Sequence, residues 1–219
     1  MQRTVTNNSV FLFVPNIIGY GRIILLLYSC WHMRTDCWLT VFAYVVSGLL
    51  DAVDGYAARA LNQSSRFGAM LDMLVDRCAT MCLLACLATF YPNYVFLFQI
   101  SMLVDIASHW LHLHTSVAVG RQTHKAIDLS GNPVLRLYYR NKIVLFLMCM
   151  GNELFYSALY MLHFTTGPKI GGQGLFTLTA FLTAPVAFGK FTINLIQWYA
   201  AAVNLAAVDD DERRQPKGN

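Results

Sequence analysis

Charged residues are scarce in this chain. Asp, Glu, Lys and Arg make up 13% of its 219 residues, against 56% hydrophobic residues and a mean hydropathy of +0.46. An ordinary soluble domain carries about 25% charged residues. The scarcity excludes a soluble globular domain, a disordered chain and a fibrous repeat, and leaves a protein most of which lies in a membrane.

Three further features are missing. No basic run lies on a soluble face, so the net charge of +4 does not indicate a nucleic-acid partner. The six cysteines lie mainly within or beside apolar stretches, without the spacing of a secreted disulfide framework. The first apolar stretch is interrupted by Pro15, Asn16 and Arg22 and lacks a convincing cleavage site, so we predict no signal peptide.

Apolar segments fill most of the sequence. At about 20 residues per span they suffice for about six transmembrane helices, and we predict an all-α polytopic membrane protein with spans near 11–31, 38–61, 67–91, 94–113, 142–162 and 175–206. No internal repeat or soluble domain is visible, which predicts one transmembrane domain over residues 1–219 with a short polar tail from about residue 207.

The basic residues predict the orientation. Lys and Arg collect between spans two and three, between spans four and five, and in the C-terminal tail, whereas the opposite loops hold little more than Arg34 and Lys169. Since cytoplasmic loops carry the excess of Lys and Arg, we expect both termini to be cytoplasmic.

Four aspartates stand at fixed spacing where the second and third spans meet. Residues 51–76 read DAVDGYAARALNQSSRFGAMLDMLVD, or D-x2-D-G-x2-A-R-x8-G-x3-D-x3-D. Asp51 and Asp54 share one helix face at i, i+3, and Asp72 and Asp76 share another at i, i+4. The helical rise predicts two layers of acids, Asp51 beside Asp76 and Asp54 beside Asp72, toward the cytoplasmic side of the apolar core.

Such a cluster predicts a divalent metal site. Ionised carboxylates at that depth repel one another unless cations neutralise them, and oxygen ligands favour Mg²⁺ or Mn²⁺, with four acids suited to two ions acting on a diphosphate. Gly55 and Gly68 leave space where a nucleotide could approach the backbone, and Arg59 carries a guanidinium suited to phosphate. The competing interpretation is polar residues solvated at a helix end or paired with arginine to hold a bundle together.

These residues resemble the signature of the CDP-alcohol phosphotransferase family. The resemblance extends to FLFVPNIIGYGR, ASHWLHLH, IDLSGNPVLRLYY and GNELFY, which look like the members that use myo-inositol, and so covers nearly the whole chain. The matching signature positions are Asp51, Asp54, Gly55, Ala58, Arg59, Gly68, Asp72 and Asp76.

The resemblance implies a reaction. An alcohol, here myo-inositol, attacks the β-phosphorus of CDP-diacylglycerol and expels CMP, which makes phosphatidylinositol. It implies a homodimer in the endoplasmic reticulum membrane with the active site toward the cytoplasm. It implies two Mg²⁺ or Mn²⁺ ions bound by all four aspartates, with Asp76 also acting as the base. The implied contacts to CDP-diacylglycerol come from Gly55, Ala58, Arg59, Ser65 and Gly68.

Polar residues outside the signature are candidates for the acceptor site. Asp105 and His109 stand at i, i+4 in the fourth span, and we predict a hydrogen-bonded pair lining a polar cavity, with a zinc site or interhelical packing as alternatives. Arg136, which precedes the fifth span, serves either the topology or the polyol or a phosphate oxygen. Arg22 in the first span has the same two interpretations.

Two alternative functions stay open. The same chemistry could use another acceptor such as glycerol 3-phosphate, because only the resemblance singles out inositol. A divalent-cation transporter could use the same four acids. Beyond Asp76, however, the third span is apolar apart from Cys and Thr, which argues against a polar path through the membrane.

Overall fold

A computed structural model describes residues 10–122 and 133–214. Within them the chain forms two compact units, one ending at Phe90 and the other beginning at Tyr91. A 3₁₀ turn (Pro92–Tyr94) and two short antiparallel strands, β1 (Lys169–Ile170) and β2 (Gln173–Gly174), accompany the helices. The α-helices are α1 (Val14–His32), α2 (Cys37–Ala60), α3 (Arg66–Phe90), α4 (Val95–Gln122), α5 (Pro133–Arg140), α6 (Lys142–Phe164) and α7 (Leu175–Arg214).

The helices confirm the predicted all-α membrane class. Among the described residues, five helical segments are long and apolar enough to cross a membrane, namely α2, α3, residues 92–118, α6 and α7. The first predicted span is α1, a helix of 19 residues whose Asn16 and Arg22 lower its hydropathy. The total of six spans and the cytoplasmic termini stay predictions.

Three helix boundaries differ from the predicted spans. α4 continues to Gln122 instead of ending near residue 113, because no proline or capping residue interrupts it there. The short α5 was not predicted; Pro133 opens it. It buries Leu135 and Tyr138 on one face. α7 runs to Arg214, so residues 207–214 of the expected tail are helical. Lys125 and Lys217, two of the basic residues that predicted orientation, lie outside the described residues.

In the first unit, α1 packs against both α2 and α3. The packing is close at small residues: a Cβ on Gly19 would lie 2.9 Å from Leu71 Cδ2, and one on Gly68 would lie 2.7 Å from Asn16 Oδ1. Asp36 caps α2 by accepting hydrogen bonds from the N–H groups of Trp38 and Leu39, both at 3.0 Å. This arrangement holds the middle of α1 beside the aspartates.

In the second unit, α7 packs along α4 and α6. A Cβ on Gly151 of α6 would lie 2.5 Å from Val186 Cγ1, so only glycine permits this approach of α6 to α7. The glycine-rich segment from Gly167 to Gly174 contains the β1–β2 hairpin, in which Gly171 and Gly172 adopt positive φ angles of 59° and 86°.

Candidate active site

The four signature aspartates come together within the first unit. Asp51 and Asp54 lie in the last turns of α2, and Asp72 and Asp76 lie in the first turns of α3. Asp51, Asp72 and Asp76 each place one carboxylate oxygen within 4.8 Å of the others. The spacing within α2 and α3, together with the placement of these two helices in the first unit, therefore arranges three acids around one point, with Asp54 beside them.

Arg22 of α1 binds this cluster. Its guanidinium Nη1 lies 2.9 Å from Asp54 Oδ2 and 2.6 Å from Asp72 Oδ1, and it also contacts Asp51. Nη2 lies 2.5 Å from Asp76 Oδ1. Sequence alone assigns Arg22 either to the topology or to binding of the polyol or a phosphate oxygen. The available signal was a single arginine amid the apolar part of one span, in a chain with four acids that need a cation.

The acids differ in exposure. The Asp54 side chain is 10% exposed, whereas those of Asp51, Asp72 and Asp76 are 42%, 44% and 35% exposed. Three of the four carboxylates can therefore meet a ligand, and Asp54 forms the closed end of the cluster.

The donor set fits a divalent metal. Carboxylate oxygens are the ligands that Mg²⁺ and Mn²⁺ prefer. Within the described part of the chain, Asp51 Oδ1 is buried and accepts no hydrogen bond, although Nη1 of Arg22 lies 2.8 Å away. The cluster thus offers more acceptor oxygens than its arginine can satisfy.

The two signature glycines have different surroundings. A Cβ on Gly55 would lie 3.5 Å from Arg59 Nη1, an ordinary contact, so the exposed Arg59 folds back along its own helix beside Gly55. The space beside Gly68 is filled by Asn16 and by Ser65, whose hydroxyl accepts a 2.9 Å hydrogen bond from the N–H of Gly68 at the start of α3. Gly68 and Ser65 therefore have packing and capping roles, and their contact with substrate stays a prediction.

Comparison with known proteins decides the family. The family model described as CDP-alcohol phosphatidyltransferase matches residues 12–203. The chain belongs to this family. The resemblance of its signature is thereby confirmed.

Relatives in this family match along nearly their whole length. The chain is 56% identical to a human protein named CDP-diacylglycerol–inositol 3-phosphatidyltransferase, over 96% of this chain and 99% of that protein. Proteins of the same name from Drosophila melanogaster and Saccharomyces cerevisiae are 54% and 36% identical, over 95% and 98% of this chain and 92% and 94% of their own lengths. No solved structure matches the chain significantly.

Two candidate acceptor residues of this family member lie in the second unit, on α4. His109 Nδ1 lies 2.9 Å from the backbone carbonyl of Asp105 and 3.6 Å from its carboxylate. Asp105 Oδ1 accepts a 2.9 Å hydrogen bond from Asn194 of α7, whose own Oδ1 accepts one of 2.8 Å from Lys190 Nζ. His109 therefore lies close to Asp105, whose carboxylate ties α4 to α7, and that the two side chains line a polar cavity stays a prediction.

The zinc alternative finds no support on α4. Within residues 10–122 and 133–214, the groups of three or more His, Cys, Asp or Glu side chains whose ligand atoms lie close enough to hold a metal ion consist of Asp51, Asp72 and Asp76.

Arg136, the third candidate, is exposed on α5. With Arg140 and Lys142 it lines an open cavity of about 670 Å³, and the lining residues that the structure describes include no acidic side chain. Such a basic cavity suits an anionic group.

Proposed function

We propose that this integral membrane enzyme transfers the phosphatidyl group of CDP-diacylglycerol to myo-inositol and releases CMP. The observation that carries the proposal is the convergence of Asp51, Asp54, Asp72 and Asp76 on one cation position. The relatives that match over nearly the full chain are named for this reaction, which supports the choice of donor and acceptor.

The same four aspartates would hold two divalent ions, Mg²⁺ or Mn²⁺. When bound, such ions polarise the diphosphate and stabilise charge on the attacking and leaving oxygens. The contribution of the chain is to fix the carboxylates before substrate arrives, through the i, i+3 and i, i+4 spacings and the packing of α1 against α2 and α3.

Asp76 acts as the base in this proposal. It takes the proton of the attacking hydroxyl while that oxygen bonds to the β-phosphorus, and the bond from the β-phosphorus to the CMP oxygen breaks. Its side chain is 35% exposed, and its Oδ2 lies 3.8 Å from Arg77, beyond hydrogen-bond distance. Asp54, at 10% exposure, is too enclosed to meet an acceptor.

The donor lipid is bound beside the acids. Arg59, which follows Ala58, is exposed and lies against Gly55 on the helix that carries Asp51 and Asp54, so it adds a cation to this part of α2. The N-terminus of α3, capped by Ser65, adds a partial positive charge that favours a phosphate. We assign these residues and Gly68 to CDP-diacylglycerol.

The acceptor site must recognise a polyol. Inositol is uncharged, so its recognition needs hydrogen-bonding groups, whereas glycerol 3-phosphate also needs a cation. Arg136, Asp105 and His109 are the candidates, and the exposed Arg136 is more accessible than the buried Asp105.

Acceptor competition tests the proposal. The purified protein is reconstituted in liposomes with CDP-diacylglycerol and Mn²⁺, and labelled inositol is added with or without glycerol 3-phosphate or serine as a competitor. The Asp72→Asn variant is the inactive control. We expect labelled lipid and stoichiometric CMP, little changed by either competitor. Preference for another acceptor would overturn the inositol assignment. Absence of CMP from well-folded protein would overturn the enzyme assignment.

Location and assembly complete the proposal. We place the enzyme in the endoplasmic reticulum as a homodimer with its active site toward the cytoplasm, on the strength of the family resemblance and of basic residues near the α2–α3 connection, at α5 and after α7. Cysteines introduced at Ser64 and Lys169 should differ in sealed microsomes: an impermeant thiol reagent should label the first and spare the second. Cross-linking in native membranes tests the dimer, and cell fractionation tests the compartment.

A further inference from the structure

The Nη1 atom of Arg22 has more carboxylate neighbours than it can satisfy. Its Nη1 lies 2.8, 2.9 and 2.6 Å from oxygens of Asp51, Asp54 and Asp72, and its Nη2 lies 2.5 Å from Asp76. A guanidinium Nη carries two hydrogens, so Nη1 cannot donate to all three oxygens. Consistent with this, Asp51 Oδ1 stays without a hydrogen bond among the described residues.

The charge balance of the cluster leads to the same conclusion. Four carboxylates surround one guanidinium, and Arg77, at 3.8 Å from Asp76 Oδ2, is the next cation. Arg22 is 2% exposed, and its Nε is buried without a partner in the described part of the chain. A hydrogen-bonding site for arginine would satisfy Nε; a site whose oxygens converge on one point instead suits a compact cation.

We propose that Arg22 is an exchangeable internal counterion, which holds the four aspartates together before metal binds and leaves them when it does. A divalent ion would have to lie about 2.0–2.2 Å from the same oxygens, within the volume that Nη1 fills. Metal and Nη1 therefore exclude one another. This inference rests on the metal part of the proposed function.

Removing Arg22 should have opposite effects on the metal-free and the metal-bound protein. Without metal, Arg22→Gln leaves the acids to repel one another at low dielectric, so the apo protein becomes less stable. With metal, the ion no longer competes with a guanidinium, so it binds more tightly. An arginine that merely supported the metal site would lose stability and metal affinity together.

The experiment measures Mn²⁺ binding and thermal unfolding in detergent, without substrate. Free Mn²⁺ is followed by electron paramagnetic resonance for the wild type, Arg22→Gln and the control Arg77→Gln, which removes an equal charge from the edge of the cluster. We expect Arg22→Gln to bind Mn²⁺ about tenfold more tightly, with a lower apo melting temperature and a larger rise on adding Mn²⁺. Arg77→Gln should change the affinity less than about threefold.

Each other outcome is decisive. Equal or weaker Mn²⁺ binding by Arg22→Gln overturns the exchange but leaves the proposed function standing. Equal tightening by Arg77→Gln also overturns the exchange, because the effect is then one of general charge. Absence of Mn²⁺ binding by the wild type rejects the metal part of the proposed function and the exchange with it. If Arg22→Gln does not accumulate, Arg22→Lys decides, because its single ammonium cannot span both Nη positions: tighter binding supports the exchange, and unchanged or weaker binding overturns it.

Discussion

The two units of this protein bury polar side chains in different ways. In the first, four carboxylates crowd one guanidinium, and an oxygen of Asp51 stays without a hydrogen bond among the described residues. In the second, Lys190, Asn194 and Asp105 form a chain of hydrogen bonds in which each group meets a partner of suitable type. Both clusters lie in predicted spans, where polar groups are costly.

The difference separates a binding site from a structural clamp. The second cluster is closed: Asn194 is 4% exposed and Lys190 3%, and a separate 2.7 Å hydrogen bond between Tyr139 and Gln197 joins α5 to α7. The first has surplus charge of one sign and is open at Asp51 and Asp72. Surplus negative charge together with exposed carboxylates indicates a site that binds cations, whereas a fully hydrogen-bonded network fixes helices relative to one another.

The largest effect is expected from the open cluster. Asp72→Asn should lower turnover by about two or more orders of magnitude, because a lost carboxylate weakens the metal site that stabilises both reacting oxygens. The apo protein should be no less stable, since repulsion between the acids falls. CMP release measured against Mn²⁺ concentration and melting without metal check both parts. Full activity at limiting metal would contradict the metal proposal.

Asp76 and Asp54 should differ in which step they affect. Asp76→Asn keeps the size of the side chain but cannot take the proton of the attacking hydroxyl. We therefore expect kcat to fall strongly while CDP-diacylglycerol still binds in the presence of metal. Asp54→Asn, at the closed end, should weaken metal and lipid binding together. Lipid binding and turnover measured in parallel on both variants distinguish these roles. An equal loss of CDP-diacylglycerol binding in both would show that Asp76 is chiefly a metal ligand.

The closed cluster should respond in stability rather than catalysis. Asn194→Leu removes the amide that joins Lys190 to Asp105, and should lower the free energy of unfolding by about 1–2 kcal/mol. The KM for inositol should stay within about twofold if the network is a clamp. Thr192→Ala, an exposed change on the same helix, is the matched control. A large rise in the inositol KM would instead support Asp105 as an acceptor residue.

Much of this arrangement could be predicted from sequence because it is local. Apolar length predicts the helices, and fixed spacing places each pair of acids on one helix face, as the structure shows for Asp51, Asp54, Asp72 and Asp76. The family followed from the same residues. Apolar length does not predict helix ends: α4 and α7 continue past the apolar stretch because polar residues can also form a helix.

Contacts between distant segments could not be read in this way. Arg22 lies 29 or more residues from every acid it binds, and nothing in the spacing shows which face of α1 meets α2 and α3. The contact of Asn16 with Gly68 is of the same kind. A signature glycine can leave space either for a ligand or for a neighbouring helix, and only the packing in the structure distinguishes these two roles.

The two signature glycines sharpen the comparison within the first unit. Gly68→Ala would place a Cβ 2.7 Å from Asn16 Oδ1 and force α1 away from α3, so the free energy of unfolding should fall by about 1–3 kcal/mol. Gly55→Ala would place its Cβ 3.5 Å from Arg59 Nη1, which the side chain tolerates, and alanine favours the helix by about 1 kcal/mol.

Of the two substitutions, Gly55→Ala should have the larger effect on substrate binding. If the donor lipid approaches the backbone at Gly55, Gly55→Ala raises the KM for CDP-diacylglycerol while leaving the protein as stable as the wild type or more so. Melting temperature and KM measured on both variants give the answer. An unchanged KM in a stable Gly55→Ala protein would remove Gly55 from the lipid site, and undiminished stability of Gly68→Ala would show that α1 does not depend on the close approach at Asn16.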